Sequence, residues 1–307
     1  MVHSLHQWAS ARGGFAAWGP SAVVALVYDD LARRRDAGEF DEQFSADLPS
    51  LAFRARPAPP HLPVVLVVAL PRPAHAVTIL HDGRRFRGLL PPTYVRYRPL
   101  FEDVRRELAA NVFPGRDVDL LDVPLKALAA RLGLVRYGRN NIAYAPGIGS
   151  YLQLYGYATS ADLPVDPAWR PAEPRLLDEC EDCDICQSTC PTGAIGVERV
   201  LLHGERCLTY ANESPQALPE WIPASAHHCI VGCLHCQRPC PANPDLRIED
   251  TGVALDESET ATLVAGTAEN GPLAARIHSK LDGLGLSFDL ALLGRNLRTL
   301  VSRRLPH

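Results

Sequence analysis

No cysteine lies before Cys180 or after Cys240, although the chain of 307 residues has nine. So crowded a distribution excludes a disulfide framework of the kind that staples short secreted chains. The chain also lacks a long hydrophobic run. Its longest strongly apolar stretch, residues 64–70, is far short of the roughly 20 residues that span a bilayer. Charge of one sign is not in excess: charged residues make up 21 % and the formal net charge is −4, so no global basic field points to nucleic acid. The first residues lack the basic and apolar regions of a signal peptide. Arg33-Arg34-Arg35 runs into Asp-Ala-Gly-Glu rather than an apolar segment, so it does not read as a twin-arginine export signal. No internal repeat appears outside the cysteine runs.

What is there is a thiolate cage. Residues 180–191 read C-E-D-C-D-I-C-Q-S-T-C-P, the C-x2-C-x2-C-x3-C-P spacing with which bacterial ferredoxin loops wrap a [4Fe–4S] cluster. Three thiolates hold one cubane and the fourth crosses to a second. Cys233-x2-Cys236-x3-Cys240-Pro241 repeats the last three-quarters of the pattern. Zinc sites favour two separated cysteine pairs instead, and soft iron needs the deprotonated sulfur that only Cys supplies at this density. Spacing assigns Cys180, Cys183, Cys186 and the crossing Cys240 to a first cluster. It assigns Cys233, Cys236 and the crossing Cys190 to a second, which still lacks one ligand. A regular second loop would place that ligand at position 230, which is Ile230. Cys229 and Cys207 both remain open. Two oxygen-sensitive clusters in an unexported chain imply a reducing interior, so the expected location is the cytoplasm.

Along the chain, residues 1–50 read as mostly helical, with residues 22–28 leading into an arginine-rich turn. Pro57, Pro59, Pro60 and Pro63 break the chain before a buried strand over 64–70. Residues 76–80, Asp82-Gly83 and 84–87 read as a hairpin. Residues 101–112 and 124–132 show helical spacing, with Gly133 as a C-cap. Residues 137–151 hold glycines and an Asn pair, which suggests a loop whose backbone approaches something closely. A proline-rich linker covers 164–174, the cluster segment follows to about residue 250, and two or three amphipathic helices finish the chain. Arg84, Arg85, Arg87, Arg96 and Arg98 read either as a grip for a phosphate-bearing ligand or as the solvated face of the hairpin.

Several of these segments together resemble the epoxyqueuosine reductases and the related corrinoid-dependent reductive dehalogenases. They are Leu128-Ala-x-x-x-Gly-Leu134, Gly138-Arg-Asn-Asn-Ile142, Gly149-Ser150, Cys180-x2-Cys-x2-Cys-x3-Cys-Pro-Thr-Gly-Ala-Ile195, Arg206-Cys207-Leu-Thr-Tyr210 and Gly232-Cys-x2-Cys-Gln-x2-Cys-Pro-x-Asn243. The likeness covers about residues 115–245. It implies an α+β protein: a nitroreductase-like α/β domain over 1–172, a bacterial ferredoxin-like double [4Fe–4S] domain over 173–250, and a short helical segment over 251–307. In that family the Arg-Cys-x-x-Tyr cysteine ligates the second cluster, which selects Cys207 and leaves Cys229 unligated. The resemblance further implies base-off cobalamin in the N-terminal domain. Electrons reaching it through the clusters make a Co(I) nucleophile, and a nearby Asp supplies a proton. Arg139, Asn140, Asn141, Gly149 and Ser150 are the expected corrinoid-binding residues.

The chain departs from the family before the Leu-Ala helix. Where the family has Val-Asp-Ser-x-Pro-x-x-Glu-Arg, this chain has Val118-Asp-Leu-Leu-Asp-Val-Pro-Leu-Lys126. Ungapped alignment from Leu128 puts Asp119 at the proton donor's place, whereas matching Asp-x-Pro selects Asp122. Either is expected to face a cavity walled by residues 115–155. An apolar setting beside Leu120, Leu121 and Val123 would there raise its pKa toward neutrality. Only about 55 residues follow the cluster segment, where the family's longer members add helical repeats that help hold tRNA, so a substrate other than tRNA is expected. Two functions remain. One is an oxidoreductase holding a corrinoid and a reducible substrate. The other is an electron-transfer protein that docks on a partner through residues 1–170. About 170 residues exceed what a ferredoxin needs, which favours the enzyme. An electron donor (flavodoxin, ferredoxin or reductase) is implied in either case.

Overall fold

The computed structural model describes residues 1–47, 61–196, 202–267, 271–286 and 289–302. The chain opens with α1 (Val2–Ser10), β1 (Phe15–Pro20), α2 (Val23–Asp36) and α3 (Glu42–Asp47). The mostly helical start is therefore interrupted by a strand, and Arg33, Arg34 and Arg35 form the last turn of α2 rather than a turn of their own. There their charge complements the helix C-terminus. β1 has no alternating pattern to announce it. It is a strand because its backbone pairs antiparallel with a neighbour, from Phe15 opposite Ala69 to Pro20 opposite Val64. The expected break at Pro57, Pro59 and Pro60 lies outside the described residues.

Next come β2 (Val64–Pro71), β3 (Ala74–His81), β4 (Arg84–Leu90), α4 (Tyr97–Glu107), β5 (Val118–Leu120), α5 (Leu125–Arg131), β6 (Arg136–Tyr137), β7 (Ala143–Tyr144) and β8 (Leu152–Thr159). The main sheet has the order β1-β2-β8-β5, with every pair antiparallel. β2 is apolar throughout because both its faces are covered. Val64, Leu66, Val68 and Leu70 pack with α1 and α4 residues such as Leu5, Trp8 and Val104. Val65, Val67 and Ala69 pack with α2 and α5 residues such as Val27 and Leu128. Each such buried side chain stabilises the fold by about 1.5–3 kcal/mol. Arg131 is 6 % exposed and pins α5 to α2, donating to Asp30 Oδ2 at 2.6 and 3.0 Å and to Glu173 Oε1 at 2.9 Å.

After the proline-rich linker the chain forms α6 (Ile185–Ser188), α7 (Leu208–Glu213), β9 (Ile248–Leu255), α8 (Glu257–Ala265), α9 (Pro272–Gly283) and α10 (Leu290–Val301). The β3–β4 hairpin turns at Asp82 and Gly83, both with positive φ, as the favoured two-residue hairpin turn requires. Its second edge takes β9 in parallel, giving a separate sheet of order β4-β3-β9. Val77, Ile79 and Leu90 share one core with Leu263, Ile277, Leu281, Leu293 and Leu297 of the last three helices. The C-terminal segment is thus built onto the hairpin. Arg84, Arg85 and Arg87 are exposed on it, which is the solvated-face reading. Among the described residues no helix is long and apolar enough to cross a membrane.

Candidate functional site

The cysteine runs fold into short turns that project sulfur inward. Asp178–Cys180 is one such turn, Cys186 lies on α6, and Pro191 prevents any helix from continuing past Cys190. Cys180, Cys183, Cys186 and Cys240 line one cavity enclosing about 330 Å³, together with Gly138, Arg139, Asn140 and Tyr144. Cys190, Cys207, Cys233 and Cys236 line a second, much larger cavity. Each group takes one sulfur from the other run. Cys229 belongs to neither: it is 1 % exposed and sits in an apolar patch with Ala74, Ala76, Leu89 and Leu234.

Burial, and next the neighbouring sulfurs, push the Cys186 thiol up to about 11. Burial likewise pushes Cys233 up to about 12, and raises Cys180, Cys207 and Cys236. Thiols so placed ionise only when a metal offsets the burial cost, with release of protons. The donor set suits sulfur that carries charge: the Tyr144 hydroxyl donates to Cys240 Sγ at 3.3 Å, and the His235 backbone N–H to Cys233 Sγ at 3.4 Å. Among the described residues no three His, Cys, Asp or Glu gather tightly enough for a single metal ion. His228 is used locally, with Nδ1 donating to Ala226 O at 3.1 Å and Nε2 accepting from the Leu234 N–H at 3.0 Å.

Residues 138–150 mostly hold the two halves of the molecule together. Arg139 donates to the carbonyls of Cys180 and, at 3.2 Å, Cys183. It faces the first cysteine group and does not line the large cavity. Its fork finds two carbonyls in the 180–183 turn, and that fixes its direction. Asn140 is 2 % exposed and donates to the Tyr144 hydroxyl at 2.9 Å and to Cys236 O at 3.4 Å. Ser150 donates its N–H to Asn243 Oδ1 at 2.6 Å and its hydroxyl to Gln237 Oε1 at 3.1 Å. Gly149 has φ +70°, and a Cβ there would lie 2.4 Å from Asn243 Oδ1, so this backbone must be bare to meet the cluster segment. It too lies outside the large cavity, whereas Asn140, Asn141 and Ser150 line it.

That cavity has a volume of about 1260 Å³ and is walled by residues 120–123, Leu125, Lys126, residues 140–143, Ser150 and residues 152–154 opposite the second cysteine group. Gly156 of β8 sets the wall's position. A Cβ there would meet Leu125 at 2.1 Å, and its carbonyl accepts from the Leu121 N–H at 3.1 Å. Asp122 lines the cavity and Asp119 does not. Both are exposed, and the apolar burial expected for an Asp here is absent because Leu120 itself turns outward at 51 % exposure. A half-buried titratable group on this wall is Lys126. Its ammonium donates to Asn141 O at 2.6 Å and Oδ1 at 2.5 Å, and burial, helped by nearby Arg34, lowers its pKa to about 8. Tyr94, which donates to Glu213, lies on the same wall, where burial raises the carboxyl's pKa. Sequence spacing marks neither Tyr94 nor Glu213. Lys126 carried one signal, since it and Lys280 are the only lysines in the chain.

A family described as a 4Fe-4S double cluster binding domain matches residues 179–243. The chain is similar to the epoxyqueuosine reductase of Staphylococcus aureus, 30 % identical over 131 residues, which are 43 % of this chain and 32 % of the relative. It is 28 % identical to that of Bacillus subtilis over 144 residues, 47 % of this chain and 35 % of the relative. The aligned stretch thus spans about a third of these curated relatives. A selenomethionine-labelled epoxyqueuosine reductase structure matches with a TM-score of 0.67 at 18 % identity, covering 98 % of this chain and 81 % of that one. The Bacillus subtilis structure, with an aspartate catalytic loop swung out of the active site, matches with a TM-score of 0.64 at 17 % identity over 98 % and 81 % of the two chains. A complex of epoxyqueuosine reductase with an epoxyqueuosine-modified tRNA stem loop matches with a TM-score of 0.64 at 16 % identity over 98 % and 80 %. At these identities the structures show the fold. The chain is similar to the epoxyqueuosine reductases, shares their fold, and matches a 4Fe-4S double cluster binding domain over residues 179–243.

Proposed function

We propose that this protein is an iron–sulfur oxidoreductase. Cys180, Cys183, Cys186 and Cys240 hold one [4Fe–4S] cluster, and Cys190, Cys207, Cys233 and Cys236 hold the other. The first site would pass electrons to the second, and the large cavity beside the second would hold a corrinoid and a reducible substrate. The observation that carries this reading is that the second cysteine group, and not the first, opens into that cavity. The cavity also fits a large cofactor: its volume of about 1260 Å³ lies just above the range of ordinary small-molecule pockets, about 300–1000 Å³. A corrinoid would supply a reduced metal nucleophile. Asn140, Asn141 and Ser150 on the wall are the residues to hold it, in what we take to be a nitroreductase-like layer.

The protein's own side chains would provide the proton. A two-electron reduction usually needs one, and a carboxyl within hydrogen-bond reach of the substrate can deliver it. Asp122 is the better placed of the two aspartates because it lines the cavity. The aspartate catalytic loop of the Bacillus subtilis relative supports an aspartate in this role. Lys126 would hold the Asn141 turn and keep a positive charge on the wall. The stem loop bound by a relative makes modified tRNA one substrate to try, with an electron donor of flavodoxin, ferredoxin or reductase type.

The test is anaerobic reconstitution with iron and sulfide followed by cobalamin. About one corrinoid per chain should be retained, and its visible spectrum should change with reductant in wild type but not when the second cluster is missing. Protein that holds about eight iron yet retains no corrinoid would instead be an electron-transfer module for a partner enzyme.

A further inference from the structure

Tyr144 is 2 % exposed, and its hydroxyl sits between two polar groups. It accepts from Asn140 Nδ2 at 2.9 Å and donates to Cys240 Sγ at 3.3 Å. The direction of this chain is set at its far end. Asn140 Oδ1 accepts from the Ile142 N–H at 3.2 Å, which fixes the amide with Nδ2 toward the tyrosine. An Nδ2–H pointing at the phenol oxygen leaves the phenol proton for the sulfur. The packing is specific as well: a Cβ at Gly138 would lie 2.5 Å from both Asn140 Oδ1 and Tyr144 Cε2.

We infer that Tyr144, held by Asn140, is a positioning residue that sets the reduction potential of the first cluster through a hydrogen bond to Cys240 Sγ. The inference rests on the proposed ligation of that cluster. A hydrogen bond to a ligating sulfur withdraws electron density and favours the reduced, more negative state, which raises the potential. The sulfur belongs to Cys240, the ligand that crosses from the second run, so the tyrosine acts on one cluster and not on both.

The experiment is a redox titration of reconstituted wild type, Tyr144→Phe and Asn140→Ala, followed by the spin signals of the two reduced clusters. Tyr144→Phe removes only the hydroxyl. At the wild-type midpoint of the first cluster, its reduced fraction should fall from one half to about a tenth, a shift of ~59 mV to more negative potential for a one-electron couple. The second cluster should not move. Asn140→Ala should shift the same cluster in the same direction, by less. Unchanged midpoints in Tyr144→Phe protein that retains about eight iron would overturn the inference while leaving the cluster assignment standing. Equal shifts of both clusters would overturn it too, since the effect would then be general. Wild type that takes up no iron would refute the underlying ligation instead.

Discussion

Replacing Cys207 and Cys229 one at a time separates ligation from packing. Cys207 shares a cavity wall with Cys190, Cys233 and Cys236, whereas Cys229 is buried among Ala74, Ala76, Leu89 and Leu234 and lies on neither cavity. Cys207→Ala should therefore bring reconstituted protein from about eight iron to about four and remove one of two cluster spin signals. Cys229→Ala should keep both. Its cost is the loss of one sulfur from a site 1 % exposed, about 1 kcal/mol, seen as a melting point lower by about 2–4 °C. Iron and sulfide assays with thermal unfolding read both quantities. The reasoning is refuted if the Cys229 variant falls to about four iron while the Cys207 variant keeps its full content. Tight zinc uptake without visible absorbance would reject iron ligation altogether.

Two further outcomes follow from the same geometry. Lys126, with its pKa lowered to about 8, is charged below that pH and neutral above it. Its burial cost is therefore present below about 8 and is relieved as pH rises toward the unfolded value of 10.5. Acylation of Lys126, mapped by mass spectrometry, should reach half its maximal rate near pH 8, and a midpoint above 10 would reject the buried setting. Gly149→Ala combines a φ of +70° with a Cβ 2.4 Å from Asn243 Oδ1. It should destabilise the protein by about 1–3 kcal/mol and loosen the cluster segment toward proteolysis; an unchanged melting point would show that contact to be unimportant.

The misreadings have common physical causes. β1 was invisible because pairing with β2, not its own six residues, makes it a strand. Residues 137–151, rich in Gly and Asn, signal a close backbone approach. The approach is real, but its object is the cluster segment, at Cys180, Cys183 and Asn243. Asp119 and Asp122 stand among apolar neighbours in sequence, yet the three-residue edge strand β5 buries only Val118, and Asp119, Leu120 and Asp122 are all exposed.

The amino-acid sequence alone determined the chemistry, because iron–sulfur ligation is local. The spacing of Cys180, Cys183, Cys186 and Cys190 is imposed by the reach of a few backbone bonds. A β-branched run such as residues 64–70 declares a doubly buried strand in the same way. Only the tertiary structure decided which distant groups meet. Cys190, Cys233 and Cys236 share the cavity wall with Cys207, the cysteine that the family resemblance had already selected. Tyr144 reaches Cys240, Lys126 reaches Asn141, and β9 closes on β3. Those contacts depend on how two sheets and three terminal helices bury their apolar faces together. No spacing within a single segment encodes that packing.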